Sequence, residues 1–459
     1  MRFLLFLAVV LAVHWSLKRT RARKLWLLAA SYAFYAAWDW RFLALILLST
    51  AVDYAAGLGI ATARSPRTQR AWLVTSLVVN LGMLGIFKYY DFFGQSAVEL
   101  GRWLGLPLSH TTLDLVLPVG ISFYTFQSMS YTLDIHRGTL RPTRDFLDLA
   151  LFVGFFPQLV AGPIVRAANF LPQLTTPRSP LDVPLRACLV LFLVGFVKKA
   201  CISDNLSPFV DTYFANPSAW DASGAWLAAL SYAVQIYCDF SGYSDMAIAS
   251  AGLLGYRLGA NFRAPYLTTN IASFWRHWHI SLSSWLRDYL FIPLGGSRGP
   301  RLTTYRNLLI TMVLGGLWHG ASGNFLIWGL LHGFALIVHR EWKRHVGEGR
   351  LPEILGLALT FWWVCVAWIF FRATNLATAL EICRSFVLFE SPGSQSADPH
   401  VFFVLGALAL AQIATQKLPI RDAWRQIPAV GFAVLYGVLF GLAFAFDPIH
   451  SQPFIYFQF

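Results

Sequence analysis

The amino-acid sequence predicts an all-α fold, a polytopic membrane protein with roughly ten or eleven transmembrane helices, since each pass of a ~30 Å hydrocarbon core takes about 20 apolar residues. Three observations carry this. The 459 residues are 56% hydrophobic, 16% aromatic and only 13% charged, with a mean hydropathy of +0.54, which is more apolar surface than a water-soluble core can hide. Apolar runs recur along the whole chain. The basic residues fall in short loops between those runs, so the net charge of +13 reads as membrane topology; a nucleic-acid surface would need one continuous stripe.

The first runs lie at about 1–17, 25–38, 42–60, 72–90 and 115–135. The opening one, Phe3 to Val13, has the length of a signal-peptide core, but basic residues follow it and no clear small-residue cleavage site does, so it is expected to remain as a first helix. Lys18, Arg19, Arg21, Arg23 and Lys24 fill the first loop, Arg64, Arg67 and Arg70 the third, and Arg137, Arg141 and Arg144 the fifth. The second and fourth loops carry little positive charge. The odd loops are therefore expected on the cytoplasmic side and the N-terminus outside.

Later runs lie near 146–162, 185–200, 222–255, 304–318, 324–340, 354–371, 400–415 and 429–446, without an internal repeat. One membrane domain over 1–459 is expected, with N-terminal helices in 1–146, core segments in 147–340 and C-terminal helices in 341–459. The stretch from Asn261 to Arg301 breaks the pattern, because Arg263, Arg276, His277, His279, Arg287, Asp288, Arg298 and Arg301 interrupt it. Neither charge nor unpaired backbone can face lipid, so this stretch should be re-entrant, interfacial or buried against other helices. Gly162-Pro163-Ile164-Val165-Arg166 marks a helix end with a cation beside it. Cys188, Cys201, Cys238, Cys365 and Cys383 are scattered and show no paired spacing; they read as small core hydrophobes.

The sharpest chemical constellation is Gly315-Gly316-Leu317-Trp318-His319-Gly320-Ala321. Its glycines permit close helix approach or a local break. A neutral imidazole bonded to a backbone carbonyl is the structural alternative for His319, but an ionisable group at bilayer depth points first to function. With an unperturbed pKa near ~6.5, histidine can take a proton from a hydroxyl and return one to a leaving thiolate. The second constellation runs from Ser273 to Ser281 and contains Trp275, Arg276, His277, Trp278 and His279, followed by Trp285, Arg287 and Asp288. His277 and His279 cannot share a helix face at i, i+2, and no third ligand of comparable quality stands nearby, so no metal site is expected. Arg287 and Asp288 read equally well as a satisfied ion pair. The third constellation, from Gln235 to Asp245, places Gln235, Asp239, Ser241 and Asp245 in an otherwise apolar helix. It fits a polar interior facing substrate, or a hydrogen-bond network tying helices together. The chain has no G-x-S-x-G elbow, phosphate-binding loop, H-E-x-x-H or dinucleotide fingerprint, and none of its eleven histidines has an Asp five residues on.

These residues resemble the membrane-bound O-acyltransferases, in particular their bacterial alginate O-acetyltransferase branch. The resemblance spans nearly the whole chain and rests on ordered motifs: Gln158 to Ile164, Gln235 to Asp245, Asn261 to Tyr266, Ser273 to Gly296, Gly316 to Gly320 and Pro453 to Phe457. It implies that His319 is the intramembrane catalytic histidine and that His279 is a second active-site position. It implies further a ring of helices, some re-entrant or interfacial, around a central funnel. Trp275, Trp278, Gln235, Asp239, Ser241, Asn261, Arg287, Asp288, Trp318 and Asn324 are the candidates to line that funnel for substrate or donor. His277 stands where this branch usually has Arg, which weakens any role there for a permanent charge.

The resemblance implies a multi-pass enzyme of the bacterial inner membrane with a periplasmic N-terminus. It would move an acetyl group from a cytoplasmic thioester, acetyl-CoA or similar, toward a hydroxyl of an exopolysaccharide or of a periplasmic acyl-relay protein. No bound cofactor is expected. The implied partners are the lipid bilayer, periplasmic acetyltransferase or esterase-like acceptors, and polysaccharide synthesis and export machinery, with no nucleic acid. Transfer of D-alanyl or another acyl group to a cell-wall polymer or protein is the alternative reaction. A transporter using His279 and His319 as a proton relay is the alternative of another class, although no inverted repeat is evident. A structural subunit of an export complex is a third, in which the histidines would be dispensable.

Overall fold

The computed structural model describes residues 2–159, 162–347, 349–398, 400–417, 423–447 and 454. Among them no strand forms; the extended backbone is limited to one parallel bridge, Trp220 to Gln395. The all-α expectation holds. The chain divides into two compact units, one of residues 1–189 with 247–259 and one of 190–246 with 260–459.

The first unit begins with α1 Arg2–Ser16, α2 Thr20–Asp39, α3 Leu43–Thr62, α4 Pro66–Leu84 and α5 Tyr90–Trp103, and continues with α6 Ile121–His136, α7 Phe146–Gly154, α8 Phe156–Leu159 and α9 Ala167–Thr175. Local chemistry sets the boundaries. α4 starts at Ser65, whose hydroxyl accepts the Thr68 N–H at 3.1 Å, with Pro66 in the first turn, where its missing N–H costs nothing. The apolar run from 115 becomes helical only at Ile121, after Pro118 and a left-handed Gly120 at φ +75°. The run from 146 breaks at Phe155, two residues before Pro157, and the segment from Gly162 to Arg166 is non-helical up to α9. Polar side chains buried among α3, α4 and α6 satisfy one another: the Asp53 carboxylate accepts from Ser76 Oγ at 2.5 Å, from Asn80 Nδ2 at 3.0 Å and from Ser128 Oγ.

In the second unit, α10 Leu185–Phe196 ends in a π-helical turn, Val197–Ser203, followed by α11 Asp204–Ala215 and α12 Ala222–Leu253. Both α10 and α12 run across the division of the chain. Next come α13 Ile271–His277, α14 Ile280–Leu286, α15 Arg301–His319, α16 Gly323–His345, α17 Glu353–Arg372, α18 Leu376–Leu388, α19 His400–Lys417 and α20 Ala429–Ala445. α15 and α16 form a hairpin packed backbone to backbone. A Cβ on Gly316 would lie 2.1 Å from the Phe325 carbonyl oxygen, and one on Gly329 would lie 2.4 Å from that of Met312. These contacts are the close approach that a Gly-Gly pair in an apolar helix allows.

The charged stretch from 261 to 301 folds as short pieces buried against other helices, with Ile271, Phe274, Trp278, Leu282 and Trp285 in the core. Among the described residues, three helical stretches are long and apolar enough to cross a membrane, Thr20–Thr62, Pro66–Trp103 and Glu353–Arg372, and Arg2–Ser16, His400–Gln416 and Ala429–Ala445 are shorter apolar helices. α20 turns Val430, Val434, Val438 and Leu442 outward, a contiguous apolar surface of the kind that suits acyl chains.

Candidate active site

His279 and His319 come together inside the second unit, their ring centroids 6.5 Å apart. They arrive by different routes. His319 is the last residue of α15, and the extended Gly320 ends the helix there. A Cβ on Gly320 would strike the Phe325 ring at 2.0 Å, so only glycine lets the chain turn this tightly beside the imidazole. His279 sits in the break between α13 and α14 in a left-handed conformation, φ +42°, ψ 55°. Both side chains are buried, His279 at 0% and His319 at 4% exposure.

Asn261 fixes the His279 ring. Its Oδ1 accepts the backbone N–H of Ser281 at 3.2 Å and the Ser281 hydroxyl at 2.8 Å, while its Nδ2 donates to Ser244 Oγ at 3.2 Å. The amide orientation is therefore set by its neighbours, and His279 Nδ1, 3.2 Å from Oδ1, must be the donor. In a neutral ring this leaves the lone pair on Nε2. The Asn261 carbonyl also accepts the Ile280 N–H at 2.9 Å, and the His277 carbonyl accepts the Arg263 N–H at 3.0 Å. Backbone bonds thus hold the His279 loop on the segment that carries Asn261.

An aromatic shell surrounds the pair. Phe240 stands edge-on to His279 at 4.6 Å, and His319 meets Trp318 and Trp328 at 5.0 Å each and Phe371 at 5.2 Å, all edge-on. Trp318 also lies 6.0 Å from His279. Trp278 is fully buried and packs on Phe262 at 5.1 Å and Trp368 at 4.9 Å. Trp275 donates from Nε1 to His332 Nδ1 at 3.3 Å.

The remaining sequence candidates are placed differently. Asp239 is engaged by Lys199 Nζ at 2.6 Å, and the same ammonium holds Asp204 at 2.7 Å; Lys198 pairs with Asp245 at 2.7 Å. The acidic residues of α12 therefore tie it to the π-helical turn, the network that the sequence offered as an alternative to substrate contact. Gln235 and Ser241 are buried on the same helix. Asn324 donates from Nδ2 to the Ala373 carbonyl at 2.8 Å, which links the start of α16 to the end of α17. Arg287 and Asp288 form a 2.6 Å pair with the arginine side chain 63% exposed, matching the ion-pair reading. Of the terminal motif 453–457 only Phe454 lies within the described residues; it packs on Tyr243 at 4.7 Å and Phe240 at 5.5 Å.

Sequence reading did not single out His332, which is fully buried on α16 and edge-on to Trp328 at 4.7 Å. The reasoning that marked His319, an ionisable side chain in an apolar helix, applies equally to it.

The membrane-bound O-acyltransferase (MBOAT) family profile matches residues 139–379, a span that holds both histidines and Asn261. The chain is 44% identical over 395 residues to the probable alginate O-acetylase AlgI of Pseudomonas aeruginosa, covering 84% of this chain and 73% of the relative. It is 40% identical over 393 residues to the peptidoglycan O-acetyltransferase of Helicobacter pylori, covering 79% and 73%. The teichoic acid D-alanyltransferase of Bacillus subtilis is more distant, 25% identical over 278 residues, covering 57% and 70%. With a buried histidine pair inside the matched span and likeness of this extent, the chain belongs to the membrane-bound O-acyltransferase family and is an O-acyltransferase of a membrane.

Proposed function

We propose that this enzyme transfers an acetyl group from a cytoplasmic thioester, acetyl-CoA or a similar donor, to a hydroxyl of an exopolysaccharide or of a periplasmic acyl-relay protein. The observation that carries the reading is the 6.5 Å pairing of His279 and His319 in a buried aromatic shell. The relatives named for O-acetyl transfer, at 44% and 40% identity, are nearer than the one named for D-alanyl transfer, at 25%, which favours acetyl.

His319 takes the proton of the acceptor hydroxyl as that oxygen attacks the thioester carbonyl, and returns it to the departing thiolate. His279, its tautomer set by Asn261, orients the reacting groups. General-base help is worth ~10² to 10⁴ in rate, so alignment and charge stabilisation supply the rest. The reaction calls for no bound cofactor. The setting is the bacterial inner membrane, with ten or eleven passes around a funnel, the N-terminus periplasmic and the basic odd loops cytoplasmic. Its partners are periplasmic acceptor proteins and the machinery that makes and exports the polymer.

In cells, His319→Ala should abolish polymer-bound acetate while the protein inserts normally. Unchanged ester content would refute the assignment.

A further inference from the structure

His319 supplies the base, but the negative charge that develops on the thioester carbonyl oxygen also needs a group to receive it. Trp328 is 1% exposed, and its indole N–H has no hydrogen-bond partner. Its ring is enclosed by His319 at 5.0 Å, His332 at 4.7 Å, Trp275 at 5.7 Å and Phe371 at 5.4 Å. Phe371 has no acceptor atom, Trp275 is a donor, and His332 Nδ1 is already taken by the Trp275 N–H. Because Nδ1 accepts, a neutral His332 carries its proton on Nε2, a second buried N–H without a partner. The two residues are four apart on α16 and share one face. A buried donor left without a partner is costly, and two on one face beside a catalytic base call for a function.

Resting on the assignment of His319 as the base, we propose that the Trp328 N–H, with the His332 Nε2–H one turn on, stabilises the oxyanion of the tetrahedral intermediate. The acceptor oxygen bonds to the carbonyl carbon, its proton passes to His319, and the π pair moves onto the carbonyl oxygen, where the N–H groups receive it. Collapse restores C=O, breaks C–S and delivers the proton from His319 to sulfur. Donors placed before the charge appears act most strongly in a site that excludes water.

The test replaces Trp328 by benzothienylalanine, which keeps the ring shape and exchanges N–H for sulfur, alongside Trp328→Phe. Membrane vesicles carrying each full-length variant receive labelled acetyl-CoA, and alkali-labile acetate is counted. Loss of one such donor should lower kcat by ~10² to 10³ with KM unchanged and with the thermal unfolding midpoint retained. His332→Phe should lower kcat in the same direction. A benzothienylalanine variant with the parental kcat overturns the proposal, as does a loss that merely follows a fallen unfolding midpoint in both Trp328 variants. His319→Ala separates the two levels: if it forms no ester while the benzothienylalanine variant is fully active, only the oxyanion assignment fails; if it forms ester at the parental rate, the base assignment fails as well.

Discussion

Asn261 does more than fill space beside His279. Its Oδ1 is the acceptor that decides which imidazole nitrogen carries the proton, and a ring held in the wrong tautomer cannot use Nε2 as its basic site. Asn261→Ala removes that acceptor while leaving the backbone bond from Ile280 N to residue 261 in place. Acyl transfer should fall by ~10² or more, and Asn261→Asp, which restores an acceptor at the same reach, should recover part of it. Rates of ester formation in vesicles for the two variants check this; equal losses would mean that Asn261 acts only through packing. At this scale His319 and His279 stood out in the sequence, because histidine in an apolar or aromatic setting is conspicuous. Asp239 was ambiguous, because an ionisable residue in a membrane helix looked the same whether it met substrate or Lys199. The partner that distinguishes the two readings lies forty residues away in the chain.

The α15–α16 hairpin depends on glycine at particular places. Gly329→Ala would press a methyl group to 2.4 Å from the Met312 carbonyl oxygen, and overpacking of this kind costs ~1–3 kcal/mol. It would also shift His319, which ends α15. By contrast, nothing lies within 4 Å of a Cβ at Gly82 on α4, so Gly82→Ala should be neutral or slightly stabilising through helix propensity. Thermal unfolding in detergent should separate the two, with only Gly329→Ala lowering the midpoint and the activity together. The long apolar runs announced their helices, with ends displaced by up to six residues, as at Ile121 and at Pro66. The helices without such runs, α5, α9, α11 and α18, were not anticipated, because mixed polarity hides a helix whose stability comes from packing. The break at Trp278-His279 was also hidden: neither glycine nor proline marks it, and it is held by backbone bonds from residues 261 and 263.

For the whole molecule, acid tolerance can be traced to a loop group outside the membrane helices. The Asp221 carboxylate, just ahead of α12, is held below the usual carboxylate range first by the Ser223 hydroxyl, then by the Gly224 N–H and the Ser396 hydroxyl. A carboxylate with a depressed folded-state pKa contributes stability that is complete above its unfolded value, near ~3.9, and is lost as pH falls through the folded value. Asp221→Asn should therefore lower stability at neutral pH and flatten its fall below about pH 4, leaving the most acidic region little changed. Unfolding midpoints measured across that range check the sign. Membrane residence, helical class and the family were all legible in the chain, since composition and ordered motifs report on the whole. The assembly of the site was not, because it joins residues 244, 261, 279 and 319 through side-chain geometry that no local pattern encodes.

The left-handed backbone at His279 bears on how distant sequences are read. A residue with a Cβ gives up about 1–2 kcal/mol there relative to an ordinary conformation, and glycine would give up almost none. If His279 orients the reacting groups as proposed, the imidazole is what compensates a protein for keeping a side chain at that bend. On the proposed role of His279, a chain otherwise like this one but with glycine at the bend has taken the relaxed backbone and lost the ring, and it is expected to transfer no acyl group.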